Sequence, residues 1–434
     1  MSLVSIGLIG IAVLLVLFAI GVPVAFAMAF VGVAGFCYLI SPGAGLSLLA
    51  IDIFENFSSY SLTVIPMFVF MGCIAFAGGM SGRLYEAAYT IFGRMRGGLA
   101  IASIGACAGF AAICGSTNAT AAAMGRVALP EMKKHKYDDS LATGCVASAG
   151  SLGILIPPSA LLIVYGILTE QSIGQLFIAG VLPGILLASL FIMVVVILCW
   201  RNPALGPAGD ATSFKQKLAG LLGVIEMLVL FALVMAGLFL GWFSPTQAGA
   251  AGAAGALIIT LVRRTINWQR FVDAAKDSLL ITCMVMVIVT GAILFGHFIA
   301  VTKIPFLLSD WAGGLSISPL AIMGIVILIH LIGGCFMDGF ALIVLTVPIM
   351  YPMVMALGFD PIWFGIIIVL VVEMGTITPP VGVNVYVISG VAKDVPLETI
   401  FKGIFPFLGA LIVVAALLVI FPQIATFLPS FMTY

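Results

Sequence analysis

The stretch GSLGILIPPSA (Gly150–Ala160) returns in altered form as EMGTITPPVGV (Glu373–Val383), and each places two adjacent prolines inside otherwise apolar sequence. A proline at position i has no N–H, and its ring clashes with the carbonyl of residue i−4. Pro157 and Pro158 therefore free the carbonyls of Gly153 and Ile154, and Pro379 and Pro380 free those of Gly375 and Thr376. Broken backbone at membrane depth survives only where protein or a polar cavity receives it. Broken helices at matching places in two halves of a chain point to a binding site at the membrane midplane.

Composition fixes the setting. At 63% hydrophobic and 8% charged residues, with a mean hydropathy of +1.31, the chain cannot clothe a water-soluble globule. It reads as an integral membrane protein. A crossing needs roughly 20 apolar residues, and crossings are expected near 4–20, 24–40, 63–80, 138–168, 175–199, 219–241, 247–262, 279–299, 361–390 and 402–422. The opening MSLVSIGLIGIAVLLVLFAIGVPVAF lacks a basic leader and a small-residue cleavage site, so it reads as a first helix and not as a signal peptide. The eight cysteines lie in apolar segments without metal-like spacing and read as buried small hydrophobes, not as disulfide or metal ligands.

Zero net charge hides an asymmetry between loops. With Lys133, Lys134 and Lys136 in the cytoplasm, alternation sends Arg83, Arg94, Arg96, Arg201, Lys215, Lys217, Arg263, Arg264, Arg270, Lys276, Lys393 and Lys402 to the same side, and Lys303 to the other. This obeys the positive-inside rule and expects both termini on the outer face.

An offset of 222 residues superposes Pro130 on Pro352, Asp138 on Asp360, Gly153 on Gly375 and one proline pair on the other. One further residue matches Gly180 with Gly403 and Pro183 with Pro406. PEMKKHKYDD precedes the first broken helix and carries lysines, whereas YPMVMALGFDP precedes the second and carries none. Opposite charge on equivalent loops implies opposite orientation. The fold class expected is an all-α polytopic membrane protein of two inverted repeats, with discontinuous helices. IDIFENFSSYS, TINWQRFVDAAKDS, RLYEAAYTIFGRMRG and TKIPFLLSDWAGG read as amphipathic helices along the bilayer surface. The Pro/Gly-rich stretch from 200 joins the halves.

Two apolar stretches, 98–131 and 316–356, read as re-entrant helical hairpins. The first turns at Gly115, Ser116, Thr117 and Asn118, entering from the cytoplasm; the second turns at Gly333, Gly334, Asp338 and Gly339, entering from outside. Ser116 superposes on Asp338. An intramembrane carboxylate is costly and marks an ion or substrate pathway; Glu373 carries the same suspicion. A hairpin tip facing a broken helix offers hydroxyl, amide and freed carbonyl oxygens, which suit a hard cation such as Na⁺, and helix N-termini there favour an anion. The expectation is two cation sites flanking a carboxylate-binding centre, with Ser116, Thr117, Asn118 and Asp338 as substrate-binding candidates. Small-residue helix packing is the competing reading of the first tip.

GSTNATAAAMG (Gly115–Gly125), GSLGILIPPS, GCFMDGFAL (Gly334–Leu342) and MGTITPPVG (Met374–Gly382) together resemble the motifs of the large membrane subunit of tripartite ATP-independent periplasmic (TRAP) transporters, within the ion transporter superfamily. The similarity spans essentially the whole chain. It implies a Na⁺-driven elevator importer of organic acids such as C4-dicarboxylates or sialic acids, not an enzyme. The partners implied are a periplasmic substrate-binding protein and a small membrane subunit, the latter expected as a separate polypeptide. By resemblance, one Na⁺ site falls on Ser116, Asn118, Gly153, Ile156 and Pro158. The other falls on Gly334, Asp338, Gly375, Thr378 and Val381. The expected segments are 1–97 (scaffold and arm helices), 98–199 (hairpin and broken helix), 200–218 (cytoplasmic linker), 219–315 (scaffold and arms) and 316–434 (hairpin and broken helix). Two rivals remain open: a stand-alone Na⁺/anion symporter, and an intramembrane serine protease suggested by GMSG with His297 or His330 as base. No organic cofactor and no nucleic acid partner are expected.

Overall fold

Pro, Gly and capping hydroxyls punctuate a chain whose intervening sequence is apolar enough to be helical almost throughout. The computed structural model describes residues 2–209 and 213–432; both chain ends and linker positions 210–212 lie outside the described residues. The first half runs α1 (Leu3–Ala19), α2 (Val24–Leu39), α3 (Pro42–Ser58), α4 (Val64–Ala77), α5 (Met80–Phe92), α6 (Gly98–Cys114), α7 (Thr117–Lys134), α8 (Asp139–Gly150), the single turn α9 (Leu152–Leu155), α10 (Ala160–Thr169) and α11 (Ile173–Arg201). The second runs α12 (Phe214–Phe239), α13 (Pro245–Val262), α14 (Trp268–Val301), α15 (Ile304–Gly314), α16 (Pro319–Phe336), α17 (Gly339–Ala356), α18 (Pro361–Ile377), α19 (Val383–Val391), α20 (Leu397–Ile420) and the short α21 (Gln423–Thr426). Among the described residues, eight helices are long and apolar enough to cross a membrane. The chain is a multi-pass membrane protein.

Positions 222 apart do the same local work. Ser116 and Asp338 both cap the helix that follows a hairpin turn, and Asp138 and Asp360 both cap the helix that leads to a proline pair. Each cap side chain accepts from backbone N–H groups of the first turn, which would otherwise lack partners. The expected crossing 361–390 is divided into α18 and α19, and 138–168 into α8, α9 and α10, with the prolines in the gaps. Both Pro–Pro bonds are cis.

The expected surface helices divide. In the first half α3 stands apart from α4: the chain bends by 57° between Pro42–Ser58 and Ser61–Ala77. Ser59 is extended there, and the Ser58 hydroxyl donates to the Phe54 carbonyl at 2.6 Å. The counterpart TINWQRFVDAAKDS is not a separate helix. Asn267 caps Trp268, and α14 then runs unbroken for 34 residues, because neither glycine nor proline interrupts it before Gly291. Two left-handed residues, Gly79 (φ 71°) and Lys303 (φ 60°), start α5 and α15 at the remaining arm positions.

The centre of the molecule is α8 and α18. Every residue from Leu141 to Gly150 is buried, as is every residue from Ile362 to Ile377. By contrast Leu8, Val16, Phe26, Phe30, Leu228 and Val229 on α1, α2 and α12 are exposed and suit lipid or a membrane partner. The two halves interlock through α8 and α20. A Cβ on Gly403 would lie 1.9 Å from the Ser140 carbonyl oxygen, and one on Gly144 would lie 2.2 Å from Gly403. Only a bare backbone fits that crossing. Lys133 of α7 pairs with Asp394 before α20. The ammonium holds the Asp394 carboxyl below its ordinary range, but the pair is exposed and its weight in stability is small.

Gly403→Val should therefore lower the stability of the purified protein by about 1–3 kcal/mol or prevent its assembly, since overpacking at this depth has nowhere to relax. Thermal unfolding followed by intrinsic fluorescence measures it. Gly409→Val, at a position of α20 where a Cβ meets nothing within 4 Å, is the control and should leave the transition where it is.

Candidate functional site

Gly115 ends α6 in the left-handed region (φ 64°), and Ser116 turns extended so that its hydroxyl accepts from the Ala119 N–H at 3.5 Å. This tip is seated in the break of the first proline-interrupted helix. The Ala160 N–H, which an unbroken helix would give to Ile156, instead donates to the Gly115 carbonyl at 3.4 Å. A Cβ on Gly115 would lie 2.5 Å from the Pro158 oxygen, and one on Gly153 would lie 2.7 Å from the Ser116 oxygen and 2.9 Å from Thr120 Oγ1. Ser116, Gly153 and Pro158 are thus brought together, with Ile156 in the break beside them. Asn118 is exposed on the first turn of α7.

The second tip is made the same way from different residues. Met337 is extended, and the Asp338 carboxylate accepts from the Phe340 N–H at 3.1 Å. A Cβ on Gly375 would lie 2.5 Å from the Gly334 backbone, so these two glycines touch. Thr378 leaves the helical region, and its hydroxyl donates to the Met374 carbonyl at 2.5 Å. Gly382 (φ 62°) then starts α19. Gly334 and Gly375 are buried, Asp338 is exposed at the tip, and Val381 sits half-buried in the loop after the prolines.

Both tips face one region. Gly115 at the tip before α7 meets the N-terminus of α10, and Gly339 at the N-terminus of α17 lies within contact of Val372 and Leu161. Three helix N-termini of ten or more residues therefore gather there, and each contributes a partial positive charge that favours an anion by about 0.3–1 kcal/mol. Between the tips is Glu373, 1% exposed on α18. Its carboxyl neighbours the Thr117 hydroxyl and lies within Coulomb range of Asp338.

Asn384 and Thr120 went unread in the sequence. Asn384 is fully buried at the start of α19 with both side-chain polar atoms unpaired among the described residues, and Thr120 Oγ1 is likewise buried and unpaired. Both carry a sequence signal: Thr120 stands one turn beyond Thr117, and Asn384 is a lone amide in the apolar run after a broken helix. The histidines are occupied elsewhere. His330 bridges α16 to α17 through the Val326 carbonyl and Thr346 Oγ1, both at 2.8 Å, and His297 Nε2 lies 3.5 Å from Asp52 Oδ2.

The chain matches over residues 11–424 the family model described as tripartite ATP-independent periplasmic transporter, DctM component. It belongs to that family. The C4-dicarboxylate TRAP transporter large permease DctM of Pseudomonas aeruginosa is 38% identical over 91% of this chain and 92% of its own length. The sialic acid TRAP transporter large permease SiaM of Vibrio cholerae is 32% identical over 94% and 95%. Among solved structures, the YdaH transporter of Alcanivorax borkumensis superposes with a TM-score of 0.64 at 14% identity, covering 87% of this chain and 89% of that one; this likeness is one of fold. The relatives are transporter permeases, not enzymes.

Gly153→Ala should shift the first tip and Gly375→Ala the second, and uptake at saturating substrate should fall about tenfold or more in each. Gly105→Ala in α6, where a Cβ meets nothing within 4 Å, should retain the wild-type rate in the same assay.

Proposed function

We propose that this chain is the subunit that moves an organic acid across the membrane in a Na⁺-coupled TRAP transporter. Its cargo would be a C4-dicarboxylate, a sialic acid or a similar carboxylate. The observation that carries the reading is the paired seating of glycine on backbone, Gly153 against Ser116 and Gly375 against Gly334. Beside the tips stand the freed carbonyls of Gly153 and Ile154 on one side and of Thr376 on the other, a setting that suits a desolvated Na⁺. One Na⁺ is held by Ser116, Asn118, Gly153, Ile156 and Pro158, the other by Gly334, Asp338, Gly375, Thr378 and Val381. The three gathered helix N-termini receive the substrate carboxylate beside Ser116, Thr117 and Asn118.

On this reading the halves are inverted repeats, α6–α7 and α16–α17 are re-entrant hairpins, and the parts containing them move as an elevator. The scaffold is formed by 1–60 and 219–277, and α5 and α15 are arms that stay at the interface. Asp338 would otherwise be a carboxylate near the membrane interior with no basic partner among the described residues, and a bound cation removes that cost. The tripartite family supports two further proteins: a small membrane subunit against the exposed apolar scaffold, and a periplasmic binding protein that delivers substrate.

Uptake of labelled C4-dicarboxylate and sialic acid into proteoliposomes, with this chain and its small subunit, tests the reading. Uptake of one of them should require both an inward Na⁺ gradient and the cognate binding protein. Na⁺-driven uptake without binding protein would make the chain a stand-alone symporter. Ser116→Ala and Asp338→Asn should each raise the Na⁺ concentration for half-maximal uptake by about tenfold.

A further inference from the structure

Superposed at the 222-residue offset, the halves differ in charge where they are most alike in geometry. Ser116 corresponds to Asp338, and Ser151 corresponds to Glu373. The second half thus places two carboxyls where the first has two hydroxyls. One Na⁺ on the Asp338 side matches one of them and leaves Glu373.

Glu373 does not point at that Na⁺ site. Residues 373 and 375 are roughly 200° apart around a helix of 3.6 residues per turn. The face with Gly375 meets Gly334, and the Glu373 carboxyl turns instead to Thr117 of the opposite tip. There the bonding is incomplete. The Thr117 hydroxyl faces the Glu373 carboxyl closely enough to interact with it, yet Glu373 Oε1 and Thr117 Oγ1 are both buried and neither makes a hydrogen bond of good geometry, to the other or to any partner, among the described residues. Oε2 has only a 3.4 Å contact from Thr376 Oγ1, whose shorter bond, at 2.9 Å, goes to the Glu373 backbone carbonyl. No lysine, arginine or histidine pairs with Glu373 among the described residues. An unpaired carboxylate in such a place is expensive, and two unfilled oxygens from two different elements make a hard-cation seat.

We propose that Glu373 and Thr117 form a third Na⁺ site, bridging α18 of the second half to the first hairpin tip. The proposal rests on the Na⁺-coupled reading above. A cation there ties the first tip to the second half's broken helix, so the two ends of the centre are filled together, and it offsets charge beside an anionic substrate.

The test counts radiolabelled Na⁺ bound at saturation by the complex of this chain with its small subunit in lipid nanodiscs. Glu373→Gln should bind one Na⁺ fewer per chain than wild type, whereas Asp338→Asn should keep the wild-type count and weaken a different Na⁺ by about tenfold, so that the double variant shows both changes. An unchanged Na⁺ count in a monodisperse Glu373→Gln complex overturns the site, including the case in which only proton uptake on Na⁺ removal changes. If Glu373→Gln does not assemble, Thr117→Ala decides. It keeps the carboxylate and should weaken one Na⁺ by about tenfold; an unchanged isotherm overturns the proposal. Wild type binding no Na⁺ would overturn the coupling reading as well, whereas Na⁺ binding in wild type that Glu373→Gln does not alter removes this inference alone.

Discussion

A carbonyl released by proline inside a membrane-buried helix has no water to turn to, and each such group left unsatisfied costs several kcal/mol. The rest of this structure is arranged around three of them, at Gly153, Ile154 and Thr376; the fourth that the sequence leads one to expect, at Gly375, is taken up by the Thr378 N–H at 3.0 Å, because the chain turns at Thr378 and closes a tighter bond. The gaps at Pro157–Pro158 and Pro379–Pro380 are covered by hairpin tips that approach to the distance only glycine allows, at Gly115, Gly153, Gly334 and Gly375. A tip of bulkier residues would stand away from the break and leave its carbonyls facing hydrocarbon. The hairpins and the broken helices therefore stabilise each other, and neither is a plausible structure alone.

That dependence explains why α8 and α18 are buried on every face. A helix that must present a broken end to a tip has to be surrounded by protein there, and the surrounding contacts carry polar side-chain atoms to partners on other helices. Tyr165 donates to the Pro361 carbonyl at 2.6 Å, and Trp363 Nε1 donates to the Leu418 carbonyl at 2.7 Å. Aromatic rings fill the volume between while their polar ends are satisfied. The same tight interior puts Gly144 and Gly403 backbone to backbone, so the two halves are locked by contacts that tolerate no added methyl group.

Much of this was legible in the sequence because prolines, glycines and caps act locally. The breaks, the two tips and the capping pairs Asp138/Asp360 and Ser116/Asp338 follow from residue types whose backbone effects depend little on the remainder of the fold. Amphipathic segments were less readable. TINWQRFVDAAKDS has the composition of a surface helix, yet it continues into α14 because a bend needs a residue that stops a helix, and polarity alone stops nothing. The tip contents were readable by type and not by pairing. That Thr117 would meet Glu373, 256 positions away in sequence, depends on how two hairpins seat. The signal at Asn384 was weak, since a single amide in an apolar run is equally compatible with packing.

The halves share a geometry but not a chemistry, and the difference bears on coupling. If two equivalent sites carried equal charge, an anion between them would be drawn to either alone. On the proposed Na⁺-coupled reading, carboxylates at 338 and 373 would make the second side repel an anion until cations arrive, whereas the hydroxyls at 116 and 151 would leave the first side near neutral. Substrate affinity then depends on cations already bound on the second side, with no relay of motion required, because the same Coulomb term that penalises the bare carboxylates penalises the anion beside them. Linkage makes this reciprocal: the anion strengthens cation binding by the factor that the cations strengthen its own. A centre built this way is poorly filled by cation or anion separately and well filled by both, which is the condition for an ion gradient to drive accumulation of an acid.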